Sequence, residues 1–148
     1  MQLLIDADGC PVVDLAIAEA VRFQIPCTLV CDTSHQFERP EAQTIVVSKG
    51  ADSADFALVN LVQRGDLVVT QDYGLAAMCL ARGAVVLNQD GMRYDDQNID
   101  ALLLARHTAK KIRMSGGRLK GPKKRTPEQN TRFRETLVRL LSETRNLP

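Results

Sequence analysis

The stretch GDLVVTQDYGLAAMCLARGAVVLNQDG, residues 65–91, decides how this chain folds. It contains two apolar runs, DLVVT at 66–70 and AVVLN at 84–88, separated by a helical pattern over 74–82 that closes at Gly83. Runs that are apolar throughout, rather than at alternate positions, belong to strands buried on both faces. Strand, helix and strand in that order make a parallel pair with a crossover helix, the unit of an α/β sheet.

Working outward, three more runs of the same kind occur: QLLID at 2–6, CTLVC at 27–31 and TIVVS at 44–48. Helical patterns fall between them. Pro11 is placed to be the first helical residue of one that stops before Pro26, and Ala54, Leu58, Leu61 and Val62 form the stripe of another over 52–64, ended by Gly65. Residues 32–43 have no periodicity and read as a loop or a turn of helix. Beyond the fifth strand, 97–113 and 127–144 are helical, joined by the glycine- and proline-rich, basic SGGRLKGPKKRTP. The expectation is one domain, an α/β three-layer sandwich with a mostly parallel five-stranded sheet, helices on both faces and additional C-terminal helices. An acidic body spans 1–96 and a basic helical extension 97–148, with a flexible loop at about 114–127.

The 148 residues, 45% hydrophobic and 25% charged, suffice for a real core. No run approaches the roughly 20 apolar residues that cross a bilayer, and no signal peptide opens the chain, so a cytoplasmic protein without a membrane partner is expected. Cys10, Cys27, Cys31 and Cys79 mostly sit in apolar runs, as small buried hydrophobes do. The net charge of +1 conceals a division: residues 1–105 hold six Lys and Arg against fifteen Asp and Glu, whereas 106–148 hold thirteen against three. Such a chain can hold a cation at one place and a polyanion at another.

In an open α/β sheet, ligands bind beyond the carboxyl ends of the strands, where strand order reverses. Asp6 and Asp8 follow the first strand, Asp52 and Asp55 open the helix after the third, Asp72 follows the fourth and Asp90 the fifth. Each has an ordinary alternative as a helix cap or turn residue. Gathered together they conflict, since two carboxylates about 5 Å apart repel by roughly 3 kcal/mol at an effective dielectric near 20. A divalent cation such as Mg²⁺ or Mn²⁺ turns that repulsion into ligation.

The segments LLIDADGCPV, VVSKGADSADFALVNLVQRGDLVVTQDYGLAAMCLARGAVVLNQDG and NIDALLLARHTAKKIRMSGGRLKGPKK cover nearly the whole chain. They resemble the YaiI/YqxD family of small bacterial proteins, which is grouped with PIN-like domains and shares its fold with metal-dependent ribonucleases. The resemblance implies a site in which Asp6, Asp55 and Asp72 hold Mg²⁺ or Mn²⁺, with Asp52 and Asp8 as companions and Asp8 orienting a water. Thr70, Asn88 and Asp90 are accessory candidates.

Between Asp100 and Glu128 there is no acid, but Arg106, Lys110, Lys111, Arg113, Arg118, Lys120, Lys123, Lys124 and Arg125 supply nine cations. They are candidates for contact with nucleic acid, RNA above all. The leading expectation is therefore a divalent-metal nuclease. Its alternatives are a PIN-like module that binds RNA without cutting it, and a small-molecule phosphatase with Asp6 as nucleophile. A homodimer is expected by analogy alone.

Overall fold

The computed structural model describes residues 1–34, 37–50, 53–116 and 124–145. Its elements run β1 (Leu3–Asp6), α1 (Val13–Arg22), β2 (Cys27–Asp32), β3 (Gln43–Val47), α2 (Ser53–Leu61), β4 (Leu67–Val69), α3 (Tyr73–Ala81), β5 (Val85–Leu87), β6 (Arg93–Tyr94), α4 (Asp96–Met114) and α5 (Pro127–Arg145). Within the sheet the strands are ordered β3-β2-β1-β4-β5-β6. All neighbours are parallel except β5 and β6, which pair antiparallel.

The strand order follows from the connections. After β1 the chain steps outward through β2 to β3; α2 then carries it back to the other side of β1, and β4, β5 and β6 step outward from there. Strand order therefore reverses between β1 and β4, and the crevice above their carboxyl ends is the position the topology reserves for a ligand.

Side-chain alternation along the strands separates two cores. Leu3 and Ile5 join Leu29, Leu67, Val69 and Leu87 beneath α1 and α5, whereas Leu4 joins Val30, Val68 and Val86 beneath α2, α3 and the start of α4. The result is a three-layer α/β sandwich. Phe133, Leu137, Leu140 and Leu141, the stripe expected on α5, are all buried. On α4 Ile99 is buried and Leu102 and Leu103 are half-buried, while from Leu104 to Gly116 every residue but Ala109 is exposed.

Three sequence expectations need correction. The sheet has six strands rather than five, because Arg93–Tyr94 turns back along β5 through the turn at Asn88–Met92, too short a strand to leave a hydrophobic pattern. Gly91 permits that turn: its φ is +83°, and a Cβ there would lie 2.7 Å from the Arg132 carbonyl oxygen. Second, β3 is not buried on both faces but is the sheet's edge, with Val46 45% exposed. Third, α1 begins at Val13, two residues after Pro11, because a turn closed by the Cys10 N–H on the Ala7 carbonyl comes first.

Candidate functional site

At the crevice between β1 and β4 lies a cleft of about 570 Å³ lined by Asp6, Asp8, Asp32, Asp55 and Asp72, with Gly9, Gly50, Ala54, Gln71, Tyr73 and Arg106 completing the wall. Each acid reaches it from a different piece of local structure. Asp6 ends β1 and Asp32 ends β2; Asp8 sits in the turn after β1; Asp55 lies in the first turn of α2; Asp72 caps α3. Asp6, Asp8, Asp55 and Asp72 thus line one cleft. Asp52 lies outside the described residues.

Thr70 organises the centre. It is buried, with 1% exposure, and its hydroxyl donates to Asp6 Oδ2 at 2.8 Å while accepting the Asp72 N–H at 3.0 Å. The buried Tyr94 hydroxyl holds the Thr70 carbonyl at 3.2 Å. The short strand β6 therefore anchors a residue that fixes two of the acids. Asp72 Oδ1 accepts the Gly74 and Leu75 N–H groups at 2.8 and 3.1 Å, so this acid is a helix cap and a cleft residue at once. Asp8 ties the ends of β1 and β2 together by accepting the Asp32 N–H at 3.0 and 3.3 Å. Gln71 spans the mouth, donating to the Gly9 carbonyl at 2.9 Å.

The acids are in electrostatic conflict. Burial pushes the Asp6 carboxyl up to about 6; the Thr70 hydroxyl opposes that rise, and the charges of Asp72 and Asp8 add to it. Cys10, half-buried against the core beneath α1, is pushed up to about 11, chiefly by burial, which keeps its thiol protonated at neutral pH and unsuited to nucleophilic attack.

Sequence reasoning missed Asp32 and Gln71. Asp32 is legible by the rule that finds Asp6, as an acid directly after an apolar run, but it also opens the segment without periodicity that follows. Asp90 and Asn88 lie elsewhere. The Asn88 side chain accepts the Asp90 and Met92 N–H groups, both at 2.9 Å, and both residues line a separate cavity with Arg132 and Glu135. Asp90 is paired with Arg125 at 2.7 Å. Arg125 also donates to the Gln89 carbonyl at 2.6 Å and to Asn130 at 2.8 Å, which makes it a clamp between β5 and the start of α5.

Of the other basic candidates, Arg106, Lys110, Lys111 and Arg113 are exposed on α4 and Lys124 is exposed before α5; Arg118, Lys120 and Lys123 lie outside the described residues.

The donor set is of the right kind for Mg²⁺ or Mn²⁺: hard carboxylate oxygens around a solvent-open cleft. Among the described residues, however, no three His, Cys, Asp or Glu side chains form a group that could hold a metal ion. The fit is one of chemistry and of place, with no preformed cage, and Mg²⁺ commonly binds through one or two carboxylates while keeping several waters. No helix among the described residues is long and apolar enough to cross a membrane.

Comparison with known proteins agrees with the resemblance. The chain is 51% identical to a UPF0178 protein of Exiguobacterium sibiricum over 97% of its length and 98% of the relative's. Against a UPF0178 protein of Ruminiclostridium cellulolyticum the identity is 49%, over 93% and 90% of the two chains. Against one of Clostridium acetobutylicum it is 46%, over 95% and 97%. No solved structure matches. The family model described as "Uncharacterized BCR, YaiI/YqxD family" matches residues 4–143, and the chain belongs to that family.

Proposed function

We propose that the acidic cleft hydrolyses phosphodiester bonds of a nucleic acid, with RNA favoured, using a divalent cation. The observation that carries this reading is the convergence of Asp6, Asp8, Asp32, Asp55 and Asp72 on one cleft at the reversal of strand order, with the basic helix α4 entering its wall at Arg106. Acids brought together against their own repulsion are explained by a cation that they share.

In this reading Asp6, Asp55 and Asp72 would hold Mg²⁺ or Mn²⁺, closing on the cation as it binds, with waters completing its shell. When bound, such a cation lowers the pKa of a water and stabilises charge on the phosphoryl oxygens. The chain's own groups do the rest. Thr70 fixes the orientation of Asp6 relative to Asp72, Asp8 orients the attacking water, and Arg106, Lys110, Lys111 and Arg113 bind backbone phosphates along α4.

The test is calorimetric titration of Mg²⁺ and Mn²⁺ into the wild type and Asp6→Asn, beside a cleavage assay with labelled single-stranded RNA. Cation binding and cation-dependent cleavage by the wild type, both lost in Asp6→Asn, are expected. Cleavage without cation, or a fully active Asp6→Asn, overturns the reading. A second reading, RNA binding without cleavage, is favoured by the lack, among the described residues, of three side chains grouped closely enough to hold a metal ion. It predicts salt-dependent RNA binding indifferent to both cations.

A further inference from the structure

Arg106 is the one Lys or Arg among the described residues lining the acidic cleft. Its Nη1 stands 3.5 Å from Asp72 Oδ1, at the limit of hydrogen-bond distance, and the two side chains are 60% and 35% exposed. That oxygen is already engaged by the Gly74 and Leu75 N–H groups. Among the described residues the guanidinium is thus attached at a single long contact, which engages one of its five donors. Arg125 shows the opposite arrangement: it is 22% exposed, and three acceptors hold it.

The corner is also shaped for the arginine. A Cβ at residue 74 would lie 3.3 Å from Asp72 Oδ1, a tight contact, and 3.8 Å from Arg106 Nη1, an ordinary one, so Gly74 leaves room for the carboxylate that Arg106 approaches. Behind Arg106, Lys110 and Arg113 continue along the same face of α4, at spacings of four and seven residues.

We infer that Arg106 is a built-in counter-cation that pairs with Asp72 while the cleft is empty and passes to a substrate phosphate when a divalent cation takes the carboxylate. The inference rests on the cation-dependent reading above and adds its regulation. Cation and Arg106 compete for Asp72, so the cation binds more weakly to the empty cleft than the acids alone would allow. A phosphodiester chain seated on α4 draws the guanidinium away and strengthens cation binding, and by linkage the cation strengthens binding of that chain to the same degree. The cleft is thereby charged in the presence of substrate.

The experiment is calorimetric titration of Mn²⁺ into the wild type, Arg106→Gln and Lys110→Gln, with melting curves to establish that the variants fold. It is repeated for the wild type and Arg106→Gln with a cleavage-resistant phosphorothioate oligoribonucleotide. Without oligonucleotide, Arg106→Gln should bind Mn²⁺ about threefold to fivefold more tightly than the wild type, the scale of an exposed ion pair removed. Lys110→Gln, with the same change of charge one turn away, should change affinity by less than about twofold.

With oligonucleotide, wild-type affinity for Mn²⁺ should rise toward that of Arg106→Gln, which itself should not gain. Equal effects of the two substitutions, or an oligonucleotide response that survives in Arg106→Gln, overturn the inference and leave the cation reading standing. A wild type that binds no Mn²⁺ overturns both.

Discussion

Asp6 is the residue at which the cost of the site is measurable. Its carboxyl moves from an ordinary 3.8 to about 6 in the fold, first through burial and then through the charges of Asp72 and Asp8. A group whose pKa rises on folding takes up a proton, so its favourable contribution is complete below about pH 4 and is lost as pH rises through 6. Above that range an ionised Asp6 is held in a site that resists it. Asp6→Asn, which can still accept the Thr70 hydroxyl, should therefore be more stable than the wild type at pH 7 and without divalent cation, by about 1 to 2 kcal/mol after allowance for partial exposure. In thermal melts the gain should shrink as pH falls and vanish below about pH 4. An Asp6→Asn protein that melts below the wild type at pH 7 would show that burial does not penalise the ionised carboxylate. The place of this residue was legible in the sequence, because an acid directly after a buried strand lies where the topology leaves a crevice. The network that orients it was not, since the contacts among Asp6, Thr70, Asp72 and Tyr94 join residues up to 64 positions apart.

At the scale of elements, the amino-terminal ends of the central strands, opposite the cleft, depend on a different acid. Asp66, 3% exposed just before β4, accepts the Gln2 N–H at 3.2 Å, the Gln2 side-chain amide at 3.1 Å and the Gln63 N–H at 2.8 Å. One carboxylate thus joins the start of β1, the segment after α2 and the entry to β4. Asp66→Ala should leave two backbone N–H groups without that acceptor and cost about 2 to 4 kcal/mol in denaturant melts. A loss under about 1 kcal/mol would mean that water replaces the carboxylate freely. On the α1 face, Leu137→Ala on α5 should cost about 2 to 5 kcal/mol, because Leu137 is fully buried and its removal opens a cavity in one of the two cores. Such elements were readable wherever burial is continuous over a strand or periodic over a helix, which covers β1, β2, β4 and β5 and the stripe of α5. β6 escaped because two residues carry no period. The edge position of β3 escaped because TIVV is as apolar as the central strands, and only the order of pairing reveals which strand lacks a second neighbour.

The whole molecule turns one charge asymmetry in the sequence into two surfaces. The basic final third reads as a unit, yet the sheet divides it: α4 packs beside α3 on one face, with Arg106 in the cleft wall, while α5 packs against α1 on the other. Chain order could not show this, because the two helices are neighbours in sequence and opposites in space. The division makes a prediction that composition alone does not. If RNA reaches the cleft along α4, its phosphates meet Lys110, Lys111 and Arg113, all exposed, and binding should weaken with salt according to the counterions released. Replacing these three by Gln should lower the log–log slope of affinity against salt by about 2 for single-stranded RNA. Folding should be unaffected, because the three side chains cover no core. Arg139→Gln on α5 supplies the control: it is equally exposed but faces away from the cleft side, and its slope should match that of the wild type. Polarisation titrations at several salt concentrations decide the matter. The same loss of slope per charge removed from the two helices, about 0.7 for Arg139→Gln, would mean that RNA is attracted by net charge without a preferred face, and the path along α4 into the acidic cleft would have to be abandoned.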